Sequence, residues 1–206
     1  MENITFKDNP FYIHKNDLIS KIIKNTNNFY EIDIFNNFIS FFPNNGLFLD
    51  IGANIGNHSI MFTHHFPEVE IFSFEPFPSN YNLLHLNTKP YENITSHKIA
   101  LGSKTGIVHM MSPDINNQGA SQISKTGNKV IVIDLDSLNL KNITFIKIDI
   151  EGHEFSFCEG SFQTLKNNKP VIWIEDHNQK TVNYLIDNFD YKIKIKEKYN
   201  NYLLIP

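Results

Sequence analysis

The ten residues Leu47-Phe48-Leu49-Asp50-Ile51-Gly52-Ala53-Asn54-Ile55-Gly56 restrict the fold of this chain more than any other stretch. A short apolar run ends in an acid and gives way to a loop with a glycine at each end. This is how a buried parallel strand hands over to a helix in a nucleotide-binding α/β sheet. Gly52 and Gly56 let the backbone turn sharply and approach a ligand closely. Asn54 stands where many such loops carry a third glycine, and asparagine tolerates left-handed backbone angles. A helix expected from about Asn57 to His65 would aim its positive N-terminal end at the ligand.

The stretch lacks the Gly-x-Gly-x-x-Gly spacing of dinucleotide folds. Gly102-Ser103-Lys104-Thr105 lacks the upstream glycine of a phosphate-gripping loop. A phosphate-rich ligand is therefore disfavoured. An acid ahead of a loop without phosphate chemistry suits a nucleoside carrying an amino acid, such as S-adenosylmethionine.

The pattern beyond this loop is an alternation of strand and helix, which implies a parallel sheet with right-handed crossovers. Strands are expected at Phe48–Ile51, Glu70–Phe74, Ile94–Ile99, Phe145–Asp149 and Val171–Ile174. Helices are expected from Ser79, a good N-cap, to Thr88, from Glu154 to Leu165, and from Thr181 to Phe189. Gly106–Met111 and Lys129–Ile133 read as strands flanking the Gly/Asn/Ser-rich segment Pro113–Gly127. Asp134–Leu138 reads as a helical turn, and Tyr191–Ile195 with Tyr202–Ile205 as a terminal antiparallel pair. Ahead of the sheet, Ile32, Phe35, Ile39 and Phe42 fall at helical spacing and Pro43 stops them. Residues 1–28 show no clear period. The expected organisation is a helical extension over residues 1–45 packed on a single domain over 46–206.

At 206 residues the chain can bury a sizeable core in one domain. All 18 basic residues are lysine, so no guanidinium is present to clamp phosphate or carboxylate. With a net charge of −4 and no basic stripe, nucleic acid is not an expected partner. No apolar run approaches the ~20 residues that cross a bilayer, so no membrane partner is expected either. The abundance of Asn, Ile, Lys and Phe reads as the coding bias of an AT-rich genome. One cysteine, Cys158, fits a reducing compartment, and Met1–Lys7 has no signal-peptide pattern; a cytoplasmic location is expected.

Acids gather at the ends of four of the five expected parallel strands: Asp50, Glu75, Asp149 with Glu151, and Glu175 with Asp176. Ligands of open α/β sheets sit beyond these carboxyl ends. Glu75 lies 25 residues after Asp50, about the distance at which an acid accepts hydrogen bonds from ribose hydroxyls. A carboxylate can take both hydroxyls at once. The competing reading is a surface acid before the turn Pro76-Phe77-Pro78.

These residues also resemble a known family. Asp50–Gly56, Phe74-Glu75-Pro76, Leu135-Asp136-Ser137-Leu138 and Ile146-Lys147-Ile148-Asp149-Ile150-Glu151-Gly152-His153-Glu154 are similar to the motifs of FkbM-type S-adenosylmethionine-dependent methyltransferases. The resemblance covers about Gly46 to Glu175, and the run from Lys147 to Glu154 is its most specific part. It implies a class I methyltransferase, Rossmann-like α/β fold: a seven-stranded, mostly parallel sheet with helices on both faces and a C-terminal antiparallel hairpin. It also implies methyl transfer to a hydroxyl of a sugar, glycan or other small molecule. Carried onto this chain, Asp50, Gly52, Asn54 and Gly56 form the cofactor loop and Glu75 holds the ribose. Phe77, Ala100 and Leu101 lie by the adenine. Asp149 faces the methionine amino group and the transferred methyl, a role that charge alone also favours.

Transfer to oxygen requires that the hydroxyl proton be removed. Asp149, Glu151, His153 and His177 are the candidate bases, of which Asp149, Glu151 and His153 lie in the motif itself. His153 could equally cap the following helix. A second reading of the acids is a site for Mg or Mn built from Asp149, Glu151, Asp176 and His177; their spacing fits no dedicated loop, so no metal is assigned. Asn116, Asn117, Gln118, Ser121 and Gln122 could contact sugar hydroxyls, or be ordinary loop residues. Two further functions remain to be weighed. A nicotinamide-dependent oxidoreductase lacks its third glycine and pyrophosphate grip here. A non-catalytic cofactor-binding module would bind without turnover.

Overall fold

The run Leu47–Ile51 forms β3, buried along its whole length, as a strand needs to be when both sheet faces are covered. The computed structural model describes residues 1–111 and 122–206. Ahead of β3 come a hairpin of β1 (Glu2–Phe6) and β2 (Asn9–Ile13), then α1 (Leu18–Thr26) and α2 (Ile32–Phe38). After β3 follow α3 (Asn57–His65), β4 (Glu70–Phe74), α4 (Pro78–Thr88) and β5 (Ile94–His97). A second group comprises β6 (Ala100–Leu101), β7 (Gly106–Met111), β8 (Gln122–Ser124) and β9 (Asn128–Ile133). The chain ends with β10 (Ile143–Ile148), α5 (Glu154–Glu159), α6 (Phe162–Asn168), β11 (Val171–Glu175), α7 (Lys180–Phe189), β12 (Lys192–Lys196) and β13 (Asn201–Ile205).

The main sheet has seven strands in the order β12-β13-β11-β10-β3-β4-β5. β13 pairs antiparallel with both of its neighbours, while β11, β10, β3, β4 and β5 pair in parallel. The expected mostly parallel sheet with a terminal antiparallel hairpin is therefore present. Chain order reverses at β3, between β4 and β10, so the loops after these three strands meet at one rim. This is the switch point at which α/β sheets bind ligands. Two apolar clusters cover the sheet. One, with Phe35, Phe38, Phe62 and Trp173, joins the N-terminal segment to α3. The other, with Phe157, Leu165, Val182 and Leu185, lies under α5–α7. Strands β6-β9-β7-β8 make a separate four-stranded sheet beside the rim.

Several local expectations change. The segment 1–45 holds a hairpin as well as helices; β1 and β2 were unreadable because their apolar residues are spread among Asn and Lys. The helix from 154 to 165 is two helices, because Gly160 packs against the loop after β6. A Cβ there would stand 1.9 Å from the Gly102 carbonyl oxygen. Ser79 is not the cap of α4: Phe77 occupies that position and Pro78 opens the helix, where its missing N–H is harmless. Asn116, Asn117, Gln118 and Ser121 lie outside the described residues. Among the described residues no helix is long and apolar enough to cross a membrane.

Candidate functional site

The loops after β3, β4 and β10 enclose a cavity of about 270 Å³ at the rim. Its lining includes Gly52 and Asn54, Glu75 and Pro76, Ala100 and Leu101, and Asp149, Glu151 and His153. Ile19 and Tyr30 from the N-terminal segment close one side. Of the candidate site residues read from the sequence, Asp50, Gly56, Phe77, Glu175, Asp176 and His177 do not line it; the first three support the loops that do.

Asp50 is fully buried near the end of β3. Its Oδ2 accepts a 2.6 Å hydrogen bond from Ser59 Oγ, which also lies 2.7 Å from Ser73 Oγ. Its Oδ1 is buried without a hydrogen-bond partner among the described residues. Asp50 thus ties β3 to α3 and β4 from below the site.

Gly52 has φ +86°, and a Cβ there would stand 1.8 Å from the Asp149 carbonyl oxygen. The β3 and β10 loops can approach this closely only with glycine at 52. Asn54 adopts φ +49°, the left-handed conformation its residue type allows. That turn presents its N–H to Glu75 Oε2 at 2.9 Å. The Phe77 N–H donates to Glu75 Oε1 at 2.8 Å. Glu75 is 6% exposed, and burial pushes its carboxyl up to about 8 despite these two bonds. Each oxygen keeps a further lone pair for a hydroxyl donor in the cavity.

On β10, Lys147 is 2% exposed among Phe145, Ile146 and Ile148. A buried ammonium must be paired, and its Nζ lies 3.1 Å from Asp149 Oδ2 and 5.6 Å from the Trp173 ring centre. Burial works against both charges, yet the pair prevails: Asp149 is held below its usual range and Lys147 above its own. Asp149 is thus an ionised carboxylate, 29% exposed at the cavity. Lys147 stands inside the motif but was given no role from the sequence; a lysine amid strand-core residues was the signal.

β10 ends at Ile148, one residue short of the strand end expected at Asp149. Glu151 turns into the left-handed region at φ +52° and Gly152 follows at φ +91°. Both carboxylates reach the site through this turn. Burial, and then Asp149, raise the Glu151 carboxyl above its usual range. His153 makes no capping bond to α5 through its side chain; Glu154 Oε1 accepts from the Gly152 N–H at 2.8 Å.

At the end of β11, Glu175 Oε1 lies 3.1 Å from His177 Nε2. Burial and the nearby Asp149 push Glu175 up to about 8. Asp176 turns away to cap α7, accepting from the Thr181 and Val182 N–H groups at 2.8 and 2.9 Å. It is therefore not a ligand facing the cavity. Among the described residues no group of three His, Cys, Asp or Glu side chains is arranged to hold a metal ion.

The extension expected to pack ahead of the sheet also forms a wall of the cavity. Asn57, the first residue of α3, accepts from the Tyr30 N–H at 2.9 Å and donates to the Tyr30 carbonyl at 3.1 Å. Next to it, His58 lines the cavity and its Nε2 lies 3.1 Å from Glu31 Oε2. These contacts join residues 27 positions apart, beyond the reach of any local pattern. Ile99, Ala100, Leu101, Val108, Met110 and Val132 give the lining an apolar part, with Ser103, Lys104 and Thr105 also lining the cavity.

The methyltransferase FkbM domain matches residues 50–197 of the chain. The hexuronic acid methyltransferase AglP of Haloferax volcanii is 27% identical over 134 residues, 62% of this chain and 54% of that protein. Methyltransferase 1 of Beauveria bassiana is 23% identical over 150 residues, 58% of this chain and 59% of that one. The chain thus spans little more than half the length of these relatives. Among solved structures, the methyltransferase FkbM of Methylobacillus flagellatus superposes with a TM-score of 0.61 at 22% identity, covering 79% of this chain and 44% of that one. A precorrin-6y C5,15-methyltransferase of Geobacter metallireducens gives a TM-score of 0.50 at 19% identity, covering 78% of each chain. The two structures share the fold.

Proposed function

The chain belongs to the methyltransferase FkbM family, and we propose that it transfers a methyl group from S-adenosylmethionine to a hydroxyl oxygen of a sugar or other small molecule. The observation that carries this reading is Glu75. Two backbone N–H groups fix its carboxylate at the switch point, where its remaining lone pairs suit vicinal ribose hydroxyls. The rest of the cavity fits the same ligand. Its apolar part suits an adenine, Gly52 leaves room for the loop to close in, and the ionised Asp149 suits a cationic amino-acid end.

When bound, S-adenosylmethionine supplies a methyl group already activated by its positively charged sulfur. The chain's own residues then position the acceptor and move one proton. Asp149, locked to Lys147, is a poor base and serves as the fixed negative charge of the site. Glu151 and His153, in the turn after β10 at the cavity, are the groups we assign to take the hydroxyl proton. Positioning of the two reactants supplies much of the acceleration. The name of the Haloferax relative, a hexuronic acid methyltransferase, supports a sugar as acceptor.

The reading is tested by incubating the protein with methyl-labelled S-adenosylmethionine and a panel of free sugars, glycosides and nucleotide sugars, alongside calorimetry with S-adenosylmethionine and NAD. Label on a hydroxyl of one panel member, with heat from S-adenosylmethionine alone, is expected. Heat from NAD alone would replace it with an oxidoreductase.

A further inference from the structure

We infer that Glu31, from the segment ahead of the sheet, is a specificity-determining residue of the cofactor site, favouring the positively charged methyl donor over its neutral demethylated product. This rests on the S-adenosylmethionine reading above.

Glu31 adopts φ +60° at the start of α2 and makes no capping bond through its side chain. The side chain turns inward instead, where it is 4% exposed. A buried carboxylate normally has full compensation. Here Oε1 accepts from Asn201 Nδ2 at 3.4 Å, and Asn201 Oδ1 in turn accepts from Trp173 Nε1. Oε2 lies 3.1 Å from His58 Nε2, but the approach is out of line and that nitrogen has no hydrogen-bond partner among the described residues. The His58 side chain is 9% exposed and lines the cavity. Glu31 therefore sits one layer behind the cavity wall, fixed in place and incompletely neutralised.

Its surroundings add to this imbalance. β10 and its turn supply Asp149 and Glu151 with Lys147, which is already paired to Asp149. β11 supplies Glu175 with His177. Tyr30 stands beside Glu31, and Tyr30, Glu31 and Tyr199 all line an adjoining cavity. The chain contains no arginine among its 18 basic residues. The carboxyl of Glu175 is raised first by burial and then by Asp149; Lys147 opposes this, and Glu31 and Glu151 add to it. A cation entering the cavity relieves the imbalance, and a neutral thioether does not.

The donor and its product differ by one methyl and one unit of charge. A carboxylate that touches neither can still tell them apart through the field it sets up. The hydrogen-bonding and apolar contacts that both ligands share do not depend on Glu31.

Calorimetric titration of the wild-type chain, Glu31→Gln and Asp33→Asn with S-adenosylmethionine and with S-adenosylhomocysteine tests this. Glutamine keeps the shape and removes the charge. Asp33, on the outer face of α2 with its side chain 80% exposed, is the control. Glu31→Gln is expected to weaken S-adenosylmethionine on the order of tenfold, the scale of one charge acting through partly polar protein. S-adenosylhomocysteine and the control variant are expected to stay unchanged. Equal effects on both ligands, or none, would overturn the inference. If Glu31→Gln does not fold, Glu31→Asp, which keeps the charge on a shorter arm, takes its place. A change confined to S-adenosylmethionine is expected, and equal changes with both ligands, or none, overturn the inference. No heat from either ligand on the wild-type chain would refute the cofactor reading itself.

Discussion

Two buried titratable residues, Glu75 and Lys147, bear on stability in different ways. Glu75 has a carboxyl raised from 4.5 to about 8 in the folded chain. Between those values the folded state binds more protons than the unfolded one, so stability falls as pH rises through that window. Glu175 contributes with the same sign. Asp149 has the opposite sign, but its stabilisation is lost only as pH falls below the ordinary carboxylate range. Thermal denaturation of the ligand-free chain is therefore expected to give a midpoint that drops from pH 6 to pH 8.5, and Glu75→Gln should flatten the slope. An unchanged slope in the variant would refute the buried, protonated Glu75. Lys147→Met should leave Asp149 without its cation and destabilise the chain by about 2–3 kcal/mol in urea unfolding. That lies at or below the lower end for a broken buried pair, because Asp149 is partly exposed. Among single residues, those that follow a strand end were legible. Glu31 and His58 were not, since nothing local marks a partner 27 positions away. The asparagines, read as genomic bias, proved to be specific clips at buried positions. Besides Asn57 on Tyr30, Asn87 accepts from the Tyr12 N–H at 2.6 Å and donates to the carbonyls of Tyr12 and Ile55.

The elements that build the site are the three loops after β3, β4 and β10, and Gly52 is where two of them touch. Alanine there would combine a left-handed backbone with a Cβ 1.8 Å from the Asp149 carbonyl. Gly52→Ala is thus expected to destabilise the chain by at least about 2 kcal/mol and to displace the Asp149 turn. Chemical denaturation and calorimetry with S-adenosylmethionine should show both losses together; wild-type stability and affinity would contradict the close approach. Strands were legible because a parallel sheet covered on both faces leaves continuous apolar runs such as Leu47–Ile51 and Val171–Ile174. The β1–β2 hairpin was not, because its strands hold few core residues and gain their burial from α4 and α1. The break at Gly160 was hidden for a similar reason, since the contact that requires it comes from Gly102, in the loop after β6.

At the scale of the whole molecule, sheet order alone places the site. The reversal at β3 brings together carboxylates from four separate strand ends, and the N-terminal segment closes over them with Tyr30 and Glu31. That segment lies outside the stretch matched by the methyltransferase FkbM domain, yet the same clips that pin it to α3 make it a wall of the cavity. The central claim is that this rim holds a nucleoside sulfonium by its ribose through Glu75. Calorimetry with S-adenosylmethionine on the wild-type chain and on Glu75→Ala tests it most directly. The account predicts saturable binding by the wild-type chain and an affinity at least about tenfold weaker in the variant, the scale of two hydrogen bonds lost. Equal affinity in the two proteins would contradict it.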